Sequence, residues 1–89
     1  VIEFKGKGSP DGMCMDTEGM LWIAEWEGGC VSKWNPINGN KIEELKLPCT
    51  NITSCCLDSY SNLYVTTAMS DSENDIYGGG LFYLELNNI

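Results

Sequence analysis

The sequence predicts an all-β fold of the β-propeller type, because one unit of short strands occurs twice. Residues 10–24 and 52–66 align without a gap, and paired glycines follow in both copies. The alignment superposes Cys14 on Cys56, Asp16 on Asp58, Leu21 on Leu63 and Trp22 on Tyr64. A repeat of this length with several short strands is typical of a propeller blade. We therefore expect about two four-stranded blades, in units 10–48 and 52–89.

The first two strands of the first unit are bounded by a turn. An apolar strand is expected at Gly12–Asp16, and Thr17-Glu18-Gly19 then reverses the chain. Met20–Trp26 carries apolar residues on both faces of the predicted strand. This pattern indicates a strand that lies between two layers.

The third and fourth strands are predicted from the turn-forming residues that precede each of them. Paired glycines precede a third strand at Cys30–Trp34, and Asn38-Gly39 suits a tight hairpin. The polar, alternating segment Lys41–Leu47 is expected to form the outer strand, which Pro48 closes.

The second unit repeats this pattern with strands expected at 53–57, 62–68 and 80–86. Its fourth strand is missing, and no segment shows helical periodicity. Two blades are too few to close a propeller, and the chain begins with Val1 rather than Met. We therefore expect the chain to be part of a larger protein.

Charge and composition exclude several classes of function. The chain has a formal net charge of -8, with 5 lysines, no arginine and no histidine. Nucleic acid and anionic membranes are therefore not expected as partners, and no apolar run is long enough to span a membrane. Without histidine, Ser-His-Asp and Cys-His catalysis and histidine-bound metals are excluded. A metal held by this chain would have oxygen ligands, which favours Ca²⁺, Mg²⁺ or Mn²⁺.

The 5 cysteines form no Cys-x-x-Cys pair. Cys14, Cys55 and Cys56 lie in apolar strand-like runs, so we expect buried, reduced thiols in a cytoplasmic protein. The insertion at 69–77 has acidic residues spaced like an EF-hand loop, but Ile76 and Phe82 occupy its glycine and glutamate positions. A solvated acidic loop is expected there.

Pro10-Asp11-Gly12 is the candidate motif for metal binding or proton transfer in this chain. These residue types favour a turn. The repeat alignment, however, places Asp11 at the opening of the first strand of a blade, where the second unit has Thr53. In propellers this strand lines the central channel, where a carboxylate can bind a cation or accept a proton. The three tryptophans are expected to pack between blades rather than to stack on a sugar.

Several segments resemble the gluconolactonase family that includes regucalcin, the senescence marker protein family. The resemblance covers nearly the whole chain, in order. Its segments are Ser9–Asp16, Glu18-Gly19, Leu21–Ala24, Gly28-Gly29, Trp34–Pro36 with Gly39, Leu47-Pro48, Thr53–Cys55, Leu63–Thr66 and Gly79-Gly80. This chain has Cys30 where family members often carry Arg, and Asn35 where they usually carry Asp.

The resemblance implies a six-bladed propeller that hydrolyses sugar lactones or related esters with a divalent cation. It implies that Asp11 is both a metal ligand and the general base. The other ligands, a Glu and an Asn, belong to parts of the family pattern absent here, so the chain matches about two C-terminal blades. The cation would be Ca²⁺, Mg²⁺, Mn²⁺ or Zn²⁺, and this piece alone is expected to be inactive.

Two alternatives remain open at the level of the sequence. The chain could be part of a non-catalytic propeller that binds a ligand or a protein, because a fold does not determine a function. It could also be a free-standing protein of two blades that assembles with copies of itself. The expected partners are thus a lactone or ester substrate and either the remaining blades or further copies of the chain.

Overall fold

The computed structural model describes residues 2–86, in which the chain forms two antiparallel sheets. The first sheet has the order β1-β2-β3-β4, and the second has the order β5-β6-β7. The strands are β1 (Ser9–Met15), β2 (Leu21–Trp26), β3 (Cys30–Trp34), β4 (Lys41–Lys46), β5 (Asn51–Leu57), β6 (Asn62–Ala68) and β7 (Leu81–Glu85). The predicted all-β class is confirmed. Residues 87–89, which the expected second unit includes, lie outside the described residues.

The same turn follows the first strand of each sheet. Asp16 accepts hydrogen bonds from the backbone N–H groups of Glu18 and Met20 and from Trp22 Nε1. In the second sheet, Asp58 accepts them from the N–H groups of Tyr60 and Asn62 and from the Tyr64 hydroxyl. The donors stand at the same distances along the chain from each aspartate. The two copies of the unit therefore agree in hydrogen bonding as well as in sequence.

Positive backbone φ angles occur at equivalent places in these turns. Gly19 has a φ of 83°, and its counterpart Ser61 has a φ of 65°. Glycine adopts this left-handed conformation freely, whereas a serine does so at a cost. The second turn thus keeps its shape although it lacks the glycine that signals it in the sequence.

The core lies between the two sheets. The face of the first sheet that carries Trp22, Ala24 and Val31 packs against the face of the second that carries Leu63 and Val65. These side chains are at most 3% exposed. Burying such apolar surface is the main favourable term in folding. It joins both sheets into one hydrophobic core.

The structure corrects three expectations about particular residues. The first strand begins at Ser9 instead of Gly12, so Pro10-Asp11-Gly12 lies within a strand and is not a turn. Of the three cysteines expected to be buried, Cys55 is buried, Cys14 is only partly buried, and Cys56 is exposed because β5 directs it away from the core that holds Cys55. Asp75 is not wholly solvated, since its Oδ2 accepts a hydrogen bond from the Thr50 N–H.

Of the three tryptophans, Trp22 packs between the two described sheets as predicted, whereas Trp34 packs on the segment before β1. Trp22 is 3% exposed and lies between the sheets, and Trp34 is 7% exposed and stacks on Phe4 with ring centroids 5.2 Å apart. Trp34 Nε1 also donates a hydrogen bond of 2.7 Å to Ser32 Oγ. Trp26 is only partly buried. Among the described residues, no helix has the length and apolar character needed to cross a membrane.

Candidate functional site

Asp11 lies on a β-bulge in the first strand of the first sheet. Pro10 pairs with Glu25 and Met13 pairs with Ile23, so Asp11 and Gly12 together face one residue of β2. A bulge inserts an unpaired residue, bends the strand and redirects a side chain, often next to an active site. Asp11 is exposed, and within residues 2–86 its carboxylate takes part in no hydrogen bond or ion pair. It is therefore available to a ligand.

Gly12 explains how the bulge can sit against the second sheet. A Cβ atom placed on Gly12 would lie 2.6 Å from the Cβ and 2.8 Å from the Cα of Ser54. Non-bonded carbon atoms do not approach so closely, because their optimal separation is about 3.5–4.0 Å. The backbone φ of Gly12 is not positive. The glycine is thus required for close strand packing, and not for the turn that its sequence context favours.

The second sheet has a bulge at the equivalent position. Ile52 pairs with Thr67 and Ser54 pairs with Thr66, which leaves Thr53 unpaired where the first sheet has Asp11. The Thr53 hydroxyl is 2.8 Å from the hydroxyl of Thr66. Both copies therefore present a bulged residue at the start of the first strand. Only the first copy presents a carboxylate there.

A groove of about 670 Å³ opens at the end of the sheets where β2 ends and β5 begins. The groove is lined by Trp26 at the end of β2, by Asn51 at the start of β5 and by Met69, which directly follows β6. Asn51 is 7% exposed, and its Oδ1 has no hydrogen-bond partner within residues 2–86. Asp11 is not one of the residues that line this groove. The groove and the bulge are thus separate features.

A second group of potential ligands is formed by side chains of β2, β3 and β4 and does not include Asp11. The ligand atoms of Glu25, Cys30 and Glu44 lie within 4.8 Å of one another. Lys41 Nζ is 3.6 Å from Glu25 Oε2 and also pairs with Glu44. The three side chains offer donors suited to a divalent cation, but the Lys41 ammonium already supplies positive charge to both carboxylates.

The environment of this group keeps the cysteine as a thiol. Burial, together with the nearby Glu25 carboxylate, raises the pKa of Cys30 to about 12. Burial opposes the charge of Lys41, but Glu44 and Glu25 outweigh it and raise the pKa of that ammonium. The sequence reasoning missed this group. The paired glycines were the available signal, because they fold β2 onto β3 and place Glu25 opposite Cys30.

Comparison with known proteins identifies the family of the chain. Residues 1–69 match the family model described as "SMP-30/Gluconolactonase/LRE-like region". The chain belongs to this family. The regucalcin of Danio rerio is 50% identical over 66 residues, which are 72% of this chain and 22% of that protein. The regucalcin of Gallus gallus is 44% identical over 73 residues, covering 80% of this chain and 24% of that protein. The chain thus spans about a quarter of the length of these relatives.

Two solved structures share the arrangement of strands. One is a calcium-binding protein, regucalcin, from Agrobacterium tumefaciens, with a TM-score of 0.76 and 29% identity over 90% of this chain and 29% of that one. The other is a luciferin-regenerating enzyme, with a TM-score of 0.75 and 27% identity over 86% of this chain and 28% of that one. The family resemblance inferred from the sequence motifs is confirmed.

Proposed function

We propose that this chain is part of a six-bladed propeller that hydrolyses sugar lactones or related esters with a divalent cation. The observation that carries the proposal is the unengaged carboxylate of Asp11 on the bulge of β1. Membership of the SMP-30/gluconolactonase family supports the reaction class, and the calcium-binding neighbour supports the cation. The repeat-related bulge carries Thr53, which has no charge to offer a cation.

The carboxylate of Asp11 fits an oxygen-preferring cation in donor type and in accessibility. Calcium prefers six to eight oxygen ligands. The family resemblance implies that a Glu and an Asn from parts of the protein outside this chain are among them. When bound, the cation supplies a Lewis acid for the ester carbonyl. Asp11 would be one of its ligands and would accept a proton from the attacking water. Gly12 and Ser54 keep the bulge in place for both tasks.

A further part of the proposal concerns the outer face of the second sheet, which is the face turned away from the first sheet. Its outer face exposes Leu81 and Tyr83, which are 69% and 51% exposed. The equivalent face of the first sheet is covered by the second sheet. We propose that another blade covers the outer face in the same way. That blade belongs either to the remainder of the propeller or to another copy of the chain.

The proposal is tested in the longer protein that contains this chain. Its activity is measured against a panel of sugar lactones, after removal of metal and after addition of Ca²⁺, Mg²⁺, Mn²⁺ or Zn²⁺. Asp11→Asn keeps the size of the side chain but removes its charge, and we expect a loss of at least about 100-fold in kcat/KM. Thr53→Val is the matched control in the other bulge and leaves turnover unchanged.

Two results would overturn the proposal. Retention of most activity by a folded Asp11→Asn protein would show that this carboxylate is not in the site. Failure of the unaltered protein to hydrolyse any lactone or ester with any of the four cations would favour the non-catalytic alternative, a propeller that binds a ligand or a protein. Circular dichroism of each variant separates loss of activity from loss of fold.

A further inference from the structure

Two thiols meet across the interface between the sheets. Cys14 on β1 and Cys55 on β5 have their sulfur atoms 3.8 Å apart. A disulfide has a sulfur–sulfur distance of about 2.0 Å, so a modest movement of the two side chains would bring the atoms to bonding distance. Both cysteines are free in this structure. The pair lies close to the contact of Gly12 with Ser54, where the strands already approach each other closely.

The two sulfur atoms differ in their surroundings. Cys14 is only partly buried, whereas Cys55 is 6% exposed and belongs to the apolar core. The Cys55 thiol can donate to the carbonyl oxygen of Trp22 at 3.3 Å, and in its contact with the sulfur of Cys14 either thiol can be the donor. The hydrogen bond from Cys55 lowers the pKa of Cys14, although burial and Asp16 oppose this effect. Cys14 is thus the better nucleophile and the more accessible one.

We propose that Cys14 and Cys55 are a site of reversible oxidation, at which a peroxide converts the two thiols into a disulfide between the sheets. The Cys14 thiolate attacks one peroxide oxygen, the O–O bond breaks, and Cys14 becomes a sulfenic acid. The Cys55 sulfur then attacks the Cys14 sulfur, the S–O bond breaks, and the hydroxyl leaves with the thiol proton as water. The two thiols lose two hydrogens and two electrons, and hydrogen peroxide is reduced to two waters.

The disulfide would join β1, which carries the Asp11 bulge, to β5 of the second sheet. The cysteines are separated by 41 positions in the chain, so the disulfide would close a long loop. Closing such a loop stabilises a protein mainly by restricting its unfolded state. The oxidation site is independent of the proposed hydrolase activity, because it rests on the contact between the two sulfur atoms alone.

Cys56 is the matched control. It follows Cys55 directly and is exposed, but it lies opposite Tyr64 on the other face of β5. If exposure alone governed the reaction, Cys56 would be oxidised first. If the contact between the sheets governs it, Cys56 takes no part in the cross-link.

The test treats the folded 89-residue chain with hydrogen peroxide, removes the peroxide, unfolds the chain in denaturant and then alkylates the remaining thiols, so that the buried Cys30 and Cys49 also react. We expect 3 of the 5 cysteines to be alkylated and the tryptic peptides 8–33 and 47–89 to be cross-linked, with fragmentation of the linked peptides assigning the bond to Cys14 and Cys55. Dithiothreitol removes the cross-link. Cys56→Ser retains the cross-link, whereas Cys14→Ser and Cys55→Ser lose it. The midpoint of thermal denaturation of the oxidised chain rises by at least about 5 °C and returns on reduction.

The proposal fails if all 5 thiols remain alkylatable after peroxide treatment, if the cross-link involves Cys56, or if Cys14 proceeds to sulfinic acid without a cross-link. Circular dichroism establishes that each sample is folded. Cys55 is in the core, so its variant could unfold for structural reasons. The unaltered chain and Cys14→Ser, which changes a partly buried side chain, are then sufficient to decide the result.

Discussion

The turns after β1 and β5 are nearly identical, whereas the bulges that precede them are different. Asp16 and Asp58 accept corresponding hydrogen bonds from donors two, four and six residues further along the chain. The bulges carry Asp11 in the first sheet and Thr53 in the second. Residues that recur in both copies build the unit. Asp11 occurs in the first copy only, and its exposed carboxylate has no partner within residues 2–86, so the shared unit does not depend on it.

Equivalent faces of the two sheets also differ in whether another sheet covers them. Trp22, Ala24 and Val31 are covered by the second sheet, while Tyr64, Leu81 and Tyr83 occupy the equivalent face with no sheet upon it among the described residues. The same strand positions are therefore core in one copy and surface in the other. This difference is the physical basis for the proposed partner.

The largest effect on stability is expected at Gly12. In Gly12→Ala the new methyl group would collide with the Ser54 Cβ and Cα, and the strands must separate. Overpacking of this kind costs about 3 kcal/mol of unfolding free energy. Gly6→Ala is the control, since no atom lies within 4 Å of a Cβ placed there. Urea denaturation measures both. An unchanged midpoint for Gly12→Ala would show that β1 and β5 do not touch as described.

A smaller effect is expected from the repeated aspartates. Burial disfavours the charged form of Asp16, but hydrogen bonds from Trp22, Met20 and Glu18 and the charge of Lys33 outweigh it and lower its pKa below 3.8. Because the carboxylate is favoured in the folded state, its contribution is present above the unfolded pKa and is lost as the pH falls through the lower folded pKa. Asp16→Asn therefore costs about 2 kcal/mol at neutral pH and flattens the acid side of the stability curve.

Asp58 sharpens this prediction, because its pKa is also lowered, chiefly by the Asn62 N–H. Asp58→Asn should flatten the same part of the curve with a smaller loss at neutral pH, since its site is more open to solvent. The free energy of unfolding is measured against pH by chemical denaturation. If neither variant altered the acid limb, the repeated hydrogen bonds would not contribute to stability.

The smallest effect concerns the uncovered face. Leu81→Lys places a charge where a further blade would pack, and we expect the self-association of the chain to weaken by about 10-fold. Ile37→Lys is the control, because Ile37 is 91% exposed in the turn between β3 and β4. Analytical ultracentrifugation compares the two variants. Equal association would show that copies of the chain do not meet through this face.

The strands could be predicted because their signals are local. Alternation and turn residues located Cys30–Trp34 and 62–68 at their observed bounds, and the other strands to within a few residues. The role of Gly12 could not be predicted, because it depends on Ser54, which is close in space but distant in sequence. Local turn propensity instead suggested a turn at Pro10-Asp11-Gly12.

The candidate site was predictable only in part, for the same reason. The repeat alignment located Asp11 at the opening of the first strand of the unit, where the second copy has Thr53. It also equated Cys14 with Cys56, whereas Cys14 contacts Cys55. That contact results from the stacking of one sheet on the other, which no single repeat encodes. The group formed by Glu25, Cys30 and Glu44 was missed because two of its members come from neighbouring strands and the third from the outer strand.

The central claim is that the bulge of the first sheet binds a cation and the bulge of the second does not. Calorimetric titration of Ca²⁺ into the longer protein and its Asp11→Asn and Thr53→Val variants tests it most directly. We predict that Asp11→Asn weakens binding by at least about 100-fold, equivalent to roughly 2.7 kcal/mol, and that Thr53→Val leaves it unchanged. Equal affinity in the unaltered protein and in a folded Asp11→Asn variant would contradict the account.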